Sequence, residues 1–425
     1  PKASLSKTRY QTHMTHADSS FASSPSLKRV ARGNLCAGCG GCALVAPDKI
    51  AMDMAKPGFL RPVQSQALSA QEEAHIAQIC PGLGQKVEAD GRTDDVLWGP
   101  YVSMQMGWST DQSLRYTASS GGGLSAVLTH LLNTDAVDGV IQTGASPKVP
   151  VANVAVLSED ADAIKAAAGS RYAPSAPLAN IEPYLASEKR YAFVGKPCDV
   201  AALRALSALD PRVDERIPVM LSFFCAGVPS QTGAEEVLAK LGTDLEHTES
   251  FRYRGNGWPG FATATLKDGR ESAMSYFDSW GKILSRHVQN RCRMCADGTG
   301  KAADIVCADA WETDEKGYPL FEEEDGISLV VARTSKGQTL LDQCIASQAL
   351  ETKSFDVATL ADIQPGQRNR RQVLLARLIG LKAIGRPAPR YQGLHLLAAA
   401  RRGPLKDSLK NFLGMIRRGL KGRLD

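Results

Sequence analysis

The chain has 425 residues, near-average globular composition, a formal net charge of +5 and ten cysteines. That length allows two or three cores, and so small a net charge gives no ground for a nucleic-acid partner. No run of eighteen apolar residues occurs, so no transmembrane helix is expected, and clustered Cys-x-x-Cys spacings in a long chain point to metal in a reducing, cytoplasmic setting.

Residues 1–30 are rich in Ser, Thr, Lys and His and lack the apolar core of a signal peptide; they read as a flexible extension. Residues 31–97 are punctuated by Cys, Gly and Pro and read as a small ferredoxin-like iron–sulfur module. Residues 98–350 alternate helix and strand signals, which predicts an α/β layer structure. Within them Thr117–Leu132 reads as a Gly-rich turn opening a helix, and Val137–Thr143 as a strand. Arg190–Gly195 reads as a strand entering the helix Val200–Leu206, and Pro218–Cys225 as a strand before the helix Gly233–Leu241. Ser250–Tyr276 has β character. Strands at Asp304–Cys307 and Ile327–Arg333 precede a helix at Gly337–Gln348. Residues 351–425 read as helical and basic. The fold class expected is mixed α/β, with the cysteine module on a larger α/β domain and a helical tail.

Residues 36–42 read Cys-Ala-Gly-Cys-Gly-Gly-Cys. Thiolates at C-x2-C-x2-C spacing occupy three corners of a cubane as the backbone wraps it. Ala46 stands where a two-cluster ferredoxin places the cysteine of its other cluster, so the fourth corner falls to Cys80 of Cys80-Pro81. Zinc or disulfides are the competing readings. Cys292 and Cys295 form a further C-x-x-C, and Cys198 and Cys225 stand at expected strand ends, which in α/β sheets line the ligand crevice. Four thiols there suffice for a second cubane; a zinc site, or small buried hydrophobes for Cys198 and Cys225, are the alternatives. Cys307 and Cys344 read as buried core.

Thr117–Ser125 (Thr-Ala-Ser-Ser-Gly-Gly-Gly-Leu-Ser) places small hydroxyls and glycines at a helix start, a natural pyrophosphate cradle or simply a Ser-capped helix. Single-electron clusters need a two-electron partner, which flavin supplies. No Gly-x-Gly-x-x-Gly turn leads from a strand into a helix, so no nicotinamide site is expected.

Taken together, these motifs resemble the beta subunits of deazaflavin-coenzyme hydrogenases and formate dehydrogenases, a family that includes 7-hydroxymethyl chlorophyll a reductase and ferredoxin-dependent 8-vinyl reductases. The resemblance rests on the Cys36–Cys42 run, Cys80-Pro81-Gly82, Ser119–Gly122, Gly169-Ser170-Arg171-Tyr172, Gly195–Cys198 and Phe224–Gly227. Arg254 with Gly257-Trp258, Cys292–Cys295, Ala303–Ile305, Asp309-Ala310-Trp311 and Gly326–Ser328 complete it. It implies FAD and two [4Fe–4S] clusters, one on Cys36, Cys39, Cys42 and Cys80, the other on Cys198, Cys225, Cys292 and Cys295. It further implies that Ser119, Ser120, Gly121 and Gly122 hold FAD phosphates, and that Gly169, Ser170, Arg171, Tyr172 and Asp309 line the flavin or substrate site. Arg115, Arg171, Lys196 and Arg254 are candidate anion-binding residues, and His287 is a weak candidate proton donor.

The function expected is a reductase taking electrons from ferredoxin, steered by Arg291 and Arg293, through clusters to FAD and a small organic substrate. The alternative is an electron-transfer subunit docked on a larger dehydrogenase. The chain lacks the Cys-rich insert associated with the chlorophyll-reductase branch, which disfavours tetrapyrrole substrates. Residues 386–425 carry ten Lys/Arg and two Asp, a formal +8. Leu405, Leu409, Phe412, Leu413, Ile416 and Leu420 recur there at helical spacing, which suits an anionic membrane surface, an acidic protein partner or packing on the chain's own domain.

Overall fold

The computed structural model describes residues 23–310 and 324–421. Trp311 of the motif above, and Arg423 and Asp425 of the tail, lie outside the described residues.

Order begins before residue 31. Helix α1 (Pro25–Gly33) starts at a proline preset for the first turn and is capped by Ser24, whose hydroxyl accepts from the Leu27 amide at 3.0 Å. The Cys36–Cys42 run then enters α2 (Gly41–Val45). Strands β1 (Ile50–Ala55) and β2 (Phe59–Gln64) form an antiparallel hairpin with Ile50 opposite Gln64. Helix α3 (Ala70–Ile79) opens with a capping box, Ser69 and Glu72 bonding each other's amides, and ends on Cys80. The stretch from Pro25 to Cys80 is thus one hairpin and three helices.

The rest of the chain builds an eight-stranded mixed sheet. Its first five strands are β3 (Ser103–Ser109), β4 (Gly139–Ala145), β5 (Asn153–Ser158), β6 (Tyr191–Val194) and β7 (Val219–Phe223). The chain then leaves for a separate antiparallel sheet of β8 (Thr248–Arg252), β9 (Phe261–Leu266) and β10 (Glu271–Ser275), and returns as β11 (Ile305–Asp309), β12 (Ser328–Ala332) and β13 (Leu350–Ser354). The spatial order is β13-β3-β12-β11-β7-β6-β4-β5. The centre, β11-β7-β6-β4, is parallel and the flanking pairs are antiparallel. The parallel strands are continuous apolar runs because both faces are covered. Among the helices of this region are α4 (Gly123–Asn133), α5 (Pro197–Ser207), α6 (Gln231–Lys240), the short α7 (Asn290–Arg293) and α8 (Ser335–Ala346).

The C-terminal helices α9 (Pro365–Ala383), α10 (Leu396–Arg401) and α11 (Leu405–Leu420) do not stand apart. Leu374, Leu378 and Leu381 of α9 and Met415 of α11 share one core with Val30, Leu35, Met294 and Ala296. Residues 390–392 pair in parallel with residues 84–86. Residues 30–35 and 374–415 therefore close one wall behind the cysteines.

Candidate functional site

All ten cysteines are free thiols. Cys36, Cys39, Cys42 and Cys80 line one small cavity of ≈ 20 Å³, walled by Val30, Met52, Ile76 and Ile79 among others. The wrapping needs Gly40 at φ +87°: a Cβ there would lie 2.6 Å from the Ala179 amide nitrogen. Burial, then Cys80, drives the Cys39 thiol well above its usual pKa. Burial, then Cys36, raises Cys42 similarly and pushes Cys80 up to about 11. The amides of Gly41, Ala43, Gly82 and Leu83 turn towards these sulfurs and partly offset the effect. Four crowded thiols in an apolar hole ionise together only around a cationic centre. Among the described residues no three His, Cys, Asp or Glu are grouped as ligands of a single metal ion. What the four sulfurs share is one small apolar cavity.

The second set assembles from three places. Cys198 sits in the first turn of α5, Cys225 follows β7, and Cys292 and Cys295 come from α7 and its end. Burial, then Cys292, pushes the Cys225 thiol up to about 12, with Cys295 adding to it. The Val228 amide donates to Cys292 Sγ at 3.4 Å. Cys198 is raised by burial and Asp199, with Cys225 and also Cys39 contributing, so the two sets are neighbours. Arg291, expected on the surface, is only 3 % exposed. Its Nη2 donates to the Pro81 carbonyl at 2.8 Å, while its buried Nε and Nη1 have no hydrogen-bond partner among the described residues. Burial opposes its charge, but Tyr391 and then Cys295, Cys198 and Cys292 outweigh it and raise its pKa. Buried beside the second set's sulfurs, it is not a docking residue. Arg293 is half-buried, with its carbonyl accepting from Arg377.

At the carboxyl ends of β6, β7 and β11 opens a cavity of ≈ 290 Å³, where an α/β sheet places its ligand. Ser119, Ser120, Gly122, Gly169, Ser170, Arg171, Tyr172 and Asp309 all line it, and so does Cys225. The Ser119 and Ser170 hydroxyls meet at 2.6 Å. Helix α4 starts here without a cap from Gly122, the residue before it; the Gly123 amide donates to the Ser328 hydroxyl at 3.4 Å, and Gly122, Gly123, Leu124 and Ser125 line the cavity. Gly121 does not line it. A Cβ at Gly121 would lie 2.7 Å from the Ser328 nitrogen and 2.8 Å from the Gly107 oxygen, so this glycine is required by packing.

Other expected residues are engaged elsewhere. Arg115 is not in the lining; its Nε donates to the Gly326 carbonyl at 2.9 Å and its guanidinium lies over Trp108. Arg171 reaches the lining, but its guanidinium donates to Asn153 Oδ1 and to the carbonyls of Phe251, Pro150 and Ala152. It ties the loop together and is already satisfied. His287 lies outside the lining, with Nε2 2.9 Å from Glu236 and Nδ1 3.4 Å from Ser230, the cap of α6. The structure brings it no closer to a proton-donor role.

Two buried ion pairs frame the cavity. Lys196 Nζ donates to Asp199 at 2.7 Å and to the Ser175 hydroxyl at 2.7 Å; burial works against its charge, and Asp199 outweighs burial and raises its pKa. Arg254 binds Asp309 with two bonds of 2.9 and 2.8 Å, and the Trp258 indole donates to the same carboxylate at 2.9 Å. Burial again opposes the Arg254 charge, and Asp309 raises its pKa. Spacing alone gave no sign of these pairings, although both cations lie in motif segments.

Residues 104–181 match the family model for the N-terminal part of the coenzyme F420 hydrogenase/dehydrogenase beta subunit, and residues 188–358 match the model for its C terminus. The chain belongs to this family. Similar proteins include the coenzyme F420 hydrogenase subunit beta of Methanococcus voltae, 25 % identical over 320 residues, covering 67 % of this chain and 98 % of the relative. The F420-dependent sulfite reductase of Methanocaldococcus jannaschii is 22 % identical over 328 residues, covering 74 % of this chain and 46 % of that protein. A chain of the F420-reducing [NiFe] hydrogenase complex from Methanosarcina barkeri has a like fold, with TM-score 0.53 and 20 % identity over 68 % of this chain and 96 % of that chain. The family is one of oxidoreductase subunits, and both matched segments fall inside the sheet region and its surroundings.

Proposed function

We propose that this chain is an electron-transfer oxidoreductase subunit holding FAD in the 290 Å³ cavity and a [4Fe–4S] cluster on each thiol set. When bound, FAD exchanges electron pairs with an organic substrate, while clusters pass electrons singly. The observation that carries the reading is Cys225, which belongs to the second thiol set and also lines the cavity. With Cys39 beside Cys198, the three sites lie in series.

The chain's own residues have separable roles in this reading. Ser119, Ser170 and the glycine-rich start of α4 bind pyrophosphate. Lys196, fixed by Asp199 and Ser175, sets positive charge between the cavity and Cys198. Arg291 offsets the thiolates. The relatives' names favour a docked redox partner subunit over ferredoxin as the exchange partner, and make the deazaflavin coenzyme the first substrate to try. The test is anaerobic reconstitution followed by stopped-flow bleaching of the flavin. About eight iron per chain, acid-released FAD, and bleaching by reduced deazaflavin support the reading. Bleaching only by reduced ferredoxin would make the chain a free-standing reductase. A chain that retains no flavin after FAD is added overturns the cavity assignment.

A further inference from the structure

Helix α11 packs on α9: Met415 is fully buried and lies against Gly380, where a Cβ would be 2.9 Å from Met415 Cβ. That contact fixes which way the rest of the helix faces. Leu405 is 85 % exposed, Leu409 57 %, Leu413 54 % and Leu420 77 %. These four fall within one quarter of the helical circumference, over about 22 Å of helix at 1.5 Å per residue. Lys406, Lys410 and Arg417, all exposed, occupy the adjoining arc. Asp407 is the sole acid of the helix.

We propose that α11 seats this chain on an anionic lipid surface. A straight row of leucines beside a row of one charge sign is the form of a helix lying in the bilayer interface. A protein hot spot would instead centre on exposed aromatic side chains. The row has none, since the helix's Phe412 is half-buried. No helix of the described residues is long and apolar enough to cross a membrane, so the attachment is peripheral. The helix also lies beyond both matched family segments, the later of which ends at residue 358. Nothing in the proposal depends on the redox reading.

The test uses the full chain and sedimentation with vesicles of phosphatidylcholine alone or with equal phosphatidylglycerol. Binding is expected to the anionic vesicles and to weaken as salt rises. Replacing Lys406, Lys410 and Arg417 with Gln should reduce partitioning on the order of 100-fold. Replacing Leu405, Leu409 and Leu413 with Gln should abolish it while leaving iron content and thermal midpoint unchanged, because these side chains are already in solvent. The proposal is overturned if the full chain ignores anionic vesicles at low salt. It also fails if the leucine variant binds as well as the parent, since attraction is then charge alone. Loss of a co-purifying acidic protein from the leucine variant, with no vesicle binding by either form, would assign the row to a protein interface instead.

Discussion

Arg254 and Asp309 show what a single pair contributes to the cavity. The guanidinium is 2 % exposed and donates to both carboxylate oxygens, so Asp309 is the charge that balances it. Asp309→Asn is expected to destabilise the protein by about 3 kcal/mol, read by urea unfolding. Replacing both residues with apolar ones of like volume should recover much of that, which a simple loss of contacts would not. Cys292 tests the second thiol set at the same scale. Cys292→Ser should lower iron from about eight to about four per chain and leave one cluster signal intact. Loss of both signals would mean the two sets do not load independently.

The start of α4 is the element on which the flavin reading rests. Ser119→Asp places a carboxylate among amides that would face phosphate. Retained FAD should fall at least about tenfold, with folding preserved because Ser119 is half-buried and bonded only at its hydroxyl. Gly121 is unsuited to that test, because even a methyl group there meets the Ser328 and Gly107 backbone. At α3, Ser69→Ala removes half of the capping box and should cost about 1 kcal/mol, measured as a lower thermal midpoint. Its ending on Cys80 couples that loss to the first thiol set. Much of the element pattern was legible. Tyr191–Val194 is an unbroken apolar run, and Val219–Phe223 and Ser328–Ala332 are apolar but for one serine each, the mark of strands covered on both faces. Ser103–Ser109, Asn153–Ser158 and Leu350–Ser354 do not, because their mixed composition suits edge or antiparallel positions. The cysteines and the Ser-Gly turn were legible from spacing. The roles of Arg115, Arg171, Arg291 and His287 were not, since proximity to a motif says nothing of where a long side chain finds its partners. The partners of Arg254 and Arg291 lie 55 and 210 residues away.

At the scale of the molecule, the tail is part of the body. Met415 and Leu381 pack with Val30 and Leu35, and residues 390–392 extend the strand at 84–86. Truncation after Gly385 should therefore lower thermal stability and iron content together, by removing a wall of the cysteine unit. Surface changes on α11 should do neither, and differential scanning fluorimetry with iron analysis separates the two.

This closure sets an order of events during synthesis. Cys36, Cys39, Cys42 and Cys80 leave the ribosome well before residues 374 to 415, which complete the core behind them. Until then the emerging thiols lack their apolar shelter. Cluster loading is accordingly expected only once residues 374 to 415 have emerged, and ribosome-bound chains halted before residue 365 should carry these four cysteines open to alkylation.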